Sequence, residues 1–222
     1  MSGRFITFEG GEGTGKSSHA ELLAQRLRAL GIGVVLTREP GGSPGAEIIR
    51  HVLLSGAAEP LGPDAEAILF AAARDDHVRS TIEPALAQGR WVICDRFVDS
   101  TRIYQGALGH VDLKLIYFLE RITVGSLKPD LTFILHVPAE VGLARAKKRR
   151  GDRQVDRFEG ESLEFHQKLR EAYLALAARE PERCVVIDTT EPRVSVAMQI
   201  WTVVGQRLDP GTAPVELAGA AS

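Results

Sequence analysis

Five short apolar segments recur along the chain, each separated from the next by a longer stretch with helical periodicity. The segments are continuously apolar, which is typical of strands covered on both faces of a sheet. They are residues 5–9, 33–37, 91–95, 131–137 and 184–188. Because strands that alternate with helices form parallel sheets with right-handed crossovers, we predict an α/β fold. It should hold a five-stranded parallel sheet with helices on both faces.

The predicted helices occupy the intervals between these strands. They cover about 16–30, 45–55, 64–88, 99–126, 139–149, 160–180 and 192–208, and the fourth is broken near residues 106–109. A chain of 222 residues with this arrangement most simply forms one domain, here 1–208. The remaining segment, 209–222, is rich in small residues and has no periodic pattern, so we expect a disordered tail.

The composition argues against a nucleic-acid or membrane partner. The formal net charge is −2, so no overall field attracts nucleic acid or acidic lipid. No apolar stretch approaches the ~20 residues of a membrane span, and no apolar leader precedes the first strand. We therefore expect a cytoplasmic protein. Cys94 and Cys184 lie inside apolar segments, which favours two reduced, buried thiols over a disulfide or a metal pair.

A glycine-rich loop between the first predicted strand and helix has the pattern G-x-x-x-x-G-K-S/T. Its glycines let backbone N–H groups surround phosphate oxygens, and the helix adds its positive end. In such loops the lysine reaches the β and γ phosphates, and the serine hydroxyl can ligate Mg²⁺. Asp95, which ends the third strand, is a second candidate ligand for Mg²⁺. The predicted ATP-binding residues are Gly10, Gly11, Glu12, Gly13, Thr14, Gly15, Lys16, Ser17 and Ser18.

Several classes of protein carry such a loop. A GTPase would need an Asn-Lys-x-Asp base reader, and this sequence contains no asparagine. A motor or transport ATPase would usually bring a larger chain or partner-contact elements, which are not evident here. A small-molecule kinase needs an acceptor pocket and a basic lid over the donor phosphates, and candidates for both are present.

The lid candidate is the segment 145–157, which holds seven basic residues against two acids. A solvated helix end and a nucleic-acid site are the alternatives, although no aromatic residue interleaves the segment to stack on bases. Gly151 predicts a break between two helices, as in a segment that folds over a ligand. We therefore predict a lid at about 145–160, with Arg149, Arg150 or Arg153 stabilising the transferred phosphoryl group.

A second cluster of side chains suits an aromatic nucleotide as the acceptor. Phe70 and Arg74 are four residues apart and share one helix face. Phe70 can stack on a base, and Arg74 and Gln105 can donate hydrogen bonds to it. Arg50 and Arg96 can hold a monophosphate. These residues could instead have structural roles, with Phe70 packed in the core and Arg74 in a salt bridge. Residue type alone does not decide between the structural roles and the ligand contacts.

Six segments of the sequence resemble the thymidylate kinases. They are FEGGEGTGKSS, TREPGG, LFAAAR, DRFVDSTRIYQG, KPDLTFIL and DRFE, within about residues 4–208. The resemblance implies a P-loop nucleoside monophosphate kinase-like fold of three layers with a small lid. It also implies phosphorylation of dTMP to dTDP with ATP and Mg²⁺, and a homodimer. Another P-loop nucleoside monophosphate kinase is the alternative, and a nucleotide-binding module without activity is less favoured.

The resemblance also implies roles for individual residues. Phe70 would stack on thymine and Arg74 would read its 4-oxo group. Thr101 and Gln105 would line the base edge, and Pro40 would contact the thymine methyl group. Arg50 and Arg96 would hold the acceptor phosphate, and Asp95 would lie near Mg²⁺. At the sugar, Tyr104 would crowd a ribose 2′-hydroxyl and Glu12 would face the acceptor sugar. The candidate catalytic residues are Lys16, Asp95, Arg96 and one of the lid arginines.

The sequence departs from the family's pattern at two positions. His136 stands where an acid is usual, so we expect altered local hydrogen bonding near the site without loss of activity. Phe97 replaces a more usual Tyr or His. The helices at about 64–88 and 111–126 are candidates for a dimer interface, although burial in the core explains their apolar residues equally well.

Overall fold

The computed structural model describes residues 3–151 and 157–210. It contains a five-stranded sheet in the order β2–β3–β1–β4–β5, with every neighbouring pair parallel. The strands are β1 (Phe5–Glu9), β2 (Val34–Arg38), β3 (Trp91–Asp95), β4 (Leu131–His136) and β5 (Cys184–Asp188). The predicted fold class is confirmed. Arg153 and the part of the predicted tail after Pro210 lie outside the described residues.

Helices connect the strands at positions close to those predicted. They are α1 (Lys16–Ala29), α2 (Pro44–Leu54), α3 (Pro63–His77), α4 (Glu83–Ala87), α5 (Val98–Thr101), α6 (Leu113–Val124), α7 (Ala139–Arg150), α8 (Leu163–Arg179) and α9 (Arg193–Leu208). A 3₁₀ turn, Glu59–Leu61, precedes α3. Among the described residues, no helix is both long and apolar enough to span a membrane.

Two predicted helices are divided by π-helical turns. Val78–Ile82 separates α3 from α4, and Arg102–Leu108 follows α5. The first turn lies just before Pro84, which lacks an N–H and whose ring clashes with the carbonyl one turn earlier. The second contains Tyr104 and Gln105, so it presents two of the predicted acceptor-site residues.

The sheet is buried on both faces at its centre. Ile6 and Phe8 of β1 pack with α1 and α9, whereas Phe5 faces the opposite side, with its ring centroid 4.9 Å from that of Phe97. The two edge strands differ from the expectation of complete burial, since Leu36 of β2 and Val186 of β5 are exposed. Each edge strand has only one neighbouring strand, so the helical layers cover it less completely.

The carboxyl ends of the parallel strands meet at one edge of the sheet. β1 leads into the loop after Glu9, β2 into the Glu39–Pro40 segment, and β3 ends at Asp95. This edge is where open α/β sheets bind ligands. Cys94 and Cys184 are free and buried, as predicted.

Candidate active site

The glycine-rich loop between β1 and α1 has a backbone that only glycine tolerates. Gly10, Gly13 and Gly15 have φ of 135°, 67° and 88°. A Cβ atom at Gly13 would collide with the carbonyl oxygen of Gly142 in α7. No side chain caps α1 and no acid occupies its first turn, so its terminal N–H groups and positive dipole remain available to an anion.

Lys16 is held in this loop as a largely desolvated cation. Its Nζ donates a hydrogen bond to the Gly11 carbonyl (2.7 Å), and only 7% of the residue is exposed. Burial and the nearby Arg96 lower the pKa of Lys16 to about 8, although Glu12 and Asp95 oppose the change. A phosphate group bound in the loop would bring further negative charge to this desolvated cation.

Ser17 and Asp95 meet at the end of β3. The Ser17 hydroxyl donates a short hydrogen bond to Oδ2 of Asp95. A hydroxyl and a carboxylate are oxygen ligands of the kind that Mg²⁺ prefers, and Mg²⁺ usually completes its shell with substrate phosphates and water. The residues present therefore fit the predicted ion.

Arg96 follows β3 directly and balances the acid in the loop. It has a φ of 70°, a left-handed conformation that costs a non-glycine residue about 1–2 kcal/mol. Its Nη2 donates to Oε1 of Glu12 (2.5 Å) and its Nη1 to the Gly10 carbonyl (3.1 Å). Burial raises the pKa of Glu12, but Arg96 and then Lys16 outweigh it and bring the pKa to about 2. Glu12 is therefore ionised and paired with Arg96.

Two hydroxyl groups connect Arg96 to a buried carboxyl group. Nη1 of Arg96 donates to Ser100 Oγ (3.2 Å) and Tyr173 Oη (3.3 Å). Both hydroxyls also lie within hydrogen-bond distance of Oε2 of Glu9, at 2.7 and 3.1 Å. Burial raises the pKa of Glu9 to about 7. Sequence reasoning missed Glu9, Ser100 and Tyr173, although an acid that ends a fully buried strand could have indicated the first.

A cavity of about 280 Å³ opens beside the loop, and all nine predicted acceptor-site residues line it. They are Glu12, Pro40, Arg50, Phe70, Arg74, Arg96, Thr101, Tyr104 and Gln105. Lys16, Ser17 and Asp95 line the same cavity, so its wall includes both the phosphate loop and the predicted acceptor site. Sequence reasoning missed other lining residues, namely Arg38, Glu39, Leu54, Phe97, Ser100 and Phe158.

Arg74 makes the structural salt bridge that residue type left open, and it also lines this cavity, so its contact with a base stays a prediction. Its Nε donates to Oε2 of Glu39 (2.8 Å), and its Nη2 donates to Thr101 Oγ1 (3.0 Å). The ring of Phe70 lies 6.2 Å from that of Phe158. Phe158 in turn meets Tyr104 edge to face at 5.3 Å, so these three rings lie together at the cavity wall, which Phe97 also lines.

The predicted lid begins where α7 ends. Gly151, with a φ of 60°, follows the last residue of α7. Arg149 lines the cavity and donates to Oε1 of Glu159, while Arg150 donates to Oε2 of the same carboxylate, both at 2.9 Å. Arg150 is not among the described residues that line the cavity, and Arg153 lies outside the described part of the chain.

Ser18 and His136 lie at the margins of the site. Ser18 is exposed on the first turn of α1 and is not one of the described residues lining a cavity. His136 ends β4 and borders a smaller cavity on the other side of the loop, together with Gly11. Its Nδ1 is 3.3 Å from Nη2 of Arg170, and burial followed by Arg170 lowers the pKa of His136.

A phosphate loop with a buried lysine, facing a cavity of aromatic and arginine side chains, is the arrangement of a P-loop nucleotide kinase. Comparison with known proteins shows to which family of nucleotide kinases the chain belongs. A sequence profile of the thymidylate kinase family matches residues 8–200. The chain belongs to the thymidylate kinase family.

Individual relatives agree with the profile over nearly the whole chain. A thymidylate kinase of Bradyrhizobium diazoefficiens is 61% identical over 213 residues, covering 96% of this chain and 93% of that protein. One from Rhodopseudomonas palustris strain BisB18 is 62% identical over 207 residues, covering 93% and 90%. The crystal structure of thymidylate kinase from Ehrlichia chaffeensis superposes with a TM-score of 0.73 at 34% identity, covering 92% of this chain and 99% of that one.

Proposed function

We propose that this kinase transfers the γ-phosphoryl group of ATP to dTMP, forming dTDP and ADP, between two nucleotides bound end to end. Membership of the thymidylate kinase family supports the activity. The end-to-end arrangement of the two nucleotides is supported by one observation. The phosphate loop and all nine acceptor-site candidates line the same cavity. A phosphate oxygen of dTMP attacks the γ-phosphorus, and the bond to the β–γ bridging oxygen breaks.

The donor end is formed by the loop 10–18. Its backbone N–H groups and the start of α1 bind the ATP phosphates, and Lys16 neutralises the β and γ groups. Ser17 and Asp95 would hold Mg²⁺, which when bound neutralises charge on the donor phosphates. Asp95 could act as a ligand of the ion, since the hydrogen bond it accepts from Ser17 is a neutral contact that an ion can replace.

The acceptor end is formed by residues from four parts of the chain. Arg50 and Arg96 grip the dTMP phosphate, and Arg96 exchanges part of its contact with Glu12 for this phosphate. Phe70 stacks on thymine and Arg74 donates to its 4-oxo group. The remaining contacts come from Thr101 and Gln105 at the base edge, Tyr104 and Glu12 at the sugar, and Pro40 near the methyl group. No general base is needed, since the acceptor phosphate is already an anion.

The lid supplies positive charge as the phosphoryl group moves. Of the three candidate lid arginines, Arg149 and Arg150 are described, and Arg149 is the stronger candidate because it lines the cavity and contributes to lowering the pKa of Glu12. Closure of the segment 145–160 over the nucleotides would also exclude water, which would otherwise hydrolyse ATP. We regard the lid as part of a single domain, 1–208.

A homodimer is supported by apolar side chains left at the surface of α3 and α6. Tyr117 is 54% exposed, and the other members of this surface are Ile68, Leu113, Phe118 and Ile122. An apolar patch of this kind is typical of a protein–protein interface, and two copies related by a twofold axis would cover it. Sedimentation equilibrium should detect a dimer. The reduced state of both buried thiols accords with a cytoplasmic location.

The function is tested by offering dTMP, dUMP, dCMP, dGMP or AMP with ATP and Mg²⁺ and following ADP formation. We expect the highest kcat/KM with dTMP. Preference for another monophosphate would indicate a different nucleoside monophosphate kinase, and no turnover with any of them would indicate a binding module.

The same assay tests the phosphate loop through Lys16→Ala. Removing the cation at the β and γ phosphates should lower kcat at least about 100-fold. Lys168→Ala is the matched control, because Lys168 is exposed on α8 and pairs only with its helical neighbour Glu164 among the described residues. Near-normal turnover by Lys16→Ala would rule out the loop as the donor site.

A further inference from the structure

A chain of polar side chains runs behind the cavity from β2 to Arg74. Thr37 Oγ1 is 2.7 Å from Nε2 of His77, and Nδ1 of His77 is 3.0 Å from Oε1 of Glu39. The other oxygen of Glu39 accepts from Nε of Arg74 at 2.8 Å. Glu39, Arg74 and His77 are all buried. An ionised carboxylate only accepts hydrogen bonds, so Nδ1 of His77 carries the proton, and in the neutral ring Nε2 accepts from the Thr37 hydroxyl.

These contacts leave one edge of the Arg74 guanidinium group for a ligand. Its Nε is held by Glu39, and its Nη2 donates to Thr101 Oγ1 and to the Phe97 carbonyl, 3.3 Å away. Within the part of the chain that the structure describes, Nη1 has no hydrogen-bond partner. A guanidinium group only donates, so a fixed Nη1 suits a base with a carbonyl oxygen and opposes a base with an amino group at the same position.

The segment that carries Glu39 is itself bound to α3 and to the π-helical turn that follows it. The Thr81 hydroxyl donates to the Gly42 carbonyl (2.9 Å), and Ser43 Oγ donates to Oδ2 of Asp76 (2.6 Å). A Cβ atom at Gly42, whose φ is 86°, would collide with both atoms of the Thr37–His77 contact. A side chain at this position would therefore displace the Thr37–His77 contact, which the glycine leaves room for.

We infer that Glu39 is a positioning residue for Arg74, supported by His77 and Thr37, and that this buried chain sets the preference for a 4-oxo over a 4-amino pyrimidine. The inference rests on the proposed function, in which Arg74 reads the base. Without the Glu39 carboxylate, Arg74 loses the charge-assisted contact at its Nε. Of the contacts described above only those of Nη2 remain, so Nη1 meets the base at a less defined position. Since a mobile donor can move away from an amino group, the enzyme should discriminate less strongly against a 4-amino base in kcat/KM.

The test compares dTMP with 5-methyl-dCMP, which differ at the 4-position of the base and in the protonation of N3 but share the methyl group, sugar and phosphate. Glu39→Gln keeps the side-chain shape and removes the charge. We expect the ratio of kcat/KM for the two substrates to fall at least about tenfold, while KM for ATP stays unchanged. Thr37→Val, which removes only the outer hydroxyl, should lower the ratio by about threefold.

Asp75→Asn is the matched control, because Asp75 follows Arg74 on the same helix but pairs with the exposed Arg79. Its ratio should equal that of the wild type. Equal loss of both activities in Glu39→Gln, with the ratio preserved, would overturn the inference and leave Glu39 a purely structural role. If Glu39→Gln fails to fold, an unchanged ratio in Thr37→Val would overturn it instead. A wild-type enzyme that uses both substrates equally would refute the role of Arg74 itself, and with it this inference.

Discussion

Glu9 provides a test of the electrostatics of the site, because its carboxyl group lies behind the Arg96 network. Glu9 is completely buried at the end of β1, and Phe97 N and Ser100 Oγ each donate to it at 2.7 Å. Burial, reinforced by Asp99, raises its pKa from 4.5 to about 7, although Arg96 acts in the opposite direction. We predict that Glu9→Gln removes a pH-dependent part of the free energy of unfolding.

The sign follows from comparing the two states of the protein. Because the pKa of Glu9 is higher in the folded than in the unfolded chain, the folded state holds the proton more tightly. Its contribution to stability is therefore fully present below pH 4.5 and is lost as the pH rises through about 7. A tenfold difference in proton affinity corresponds to about 1.4 kcal/mol. The difference between a pKa of 4.5 in the unfolded chain and about 7 in the folded protein therefore amounts to about 3 kcal/mol of stability.

The assay is urea unfolding of wild type and Glu9→Gln at constant ionic strength, from about pH 4.5 to about pH 8. The stability of the wild type relative to the variant should fall by about 3 kcal/mol over this range. Glu164→Gln is the control, since the hydrogen bond and charge interaction with Lys168 lower the pKa of the exposed Glu164, so that any contribution of Glu164 to stability rises with pH instead of falling. A difference between wild type and Glu9→Gln that does not change with pH would refute the raised pKa of Glu9.

The remaining predictions concern Arg96 and the lid arginines, which we propose contact the phosphates. Arg96→Ala should lower kcat/KM for dTMP by about 10- to 100-fold with little change in KM for ATP, because charge-assisted hydrogen bonds to the acceptor phosphate are lost. Unchanged affinity for dTMP would show that the phosphate is held elsewhere. Arg149→Ala should slow the single-turnover rate at least about tenfold, whereas Arg150→Ala, which alters the partner of the same Glu159 carboxylate, should slow it less. The reverse order would make Arg150 the lid residue that contacts the phosphoryl group.

Much of the fold could be predicted because its signals are local. The apolar segments and the helical stretches between them are read from neighbouring residues, and the parallel sheet follows from their alternation. The division of 64–88 was missed, although Pro84 was visible, since the effect of a proline inside a long helix depends on what packs around it. The phosphate loop was found from a pattern eight residues long.

The acceptor site could be predicted only in part, and its residue roles came from a family resemblance rather than from spacing. Residue types left Arg74 undecided between a ligand contact and a salt bridge, and it makes the bridge while lining the cavity. Tyr173 was not predicted, because its hydroxyl meets Glu9 across 164 positions of the chain. Phe158 was quoted within a motif but given no role.

By itself, the sequence determined the succession of strands and helices along the chain, the conformation of the glycine loop and the chemical identity of its lysine and serine. These depend on backbone sterics and local periodicity, which act over a few residues. Only the tertiary structure decided which charges face one another, namely Glu12 with Arg96 and Glu39 with Arg74. It also decided that Arg149 lines the cavity. The energy of such a pair depends on distance and burial, and both arise only when segments far apart in the chain pack together.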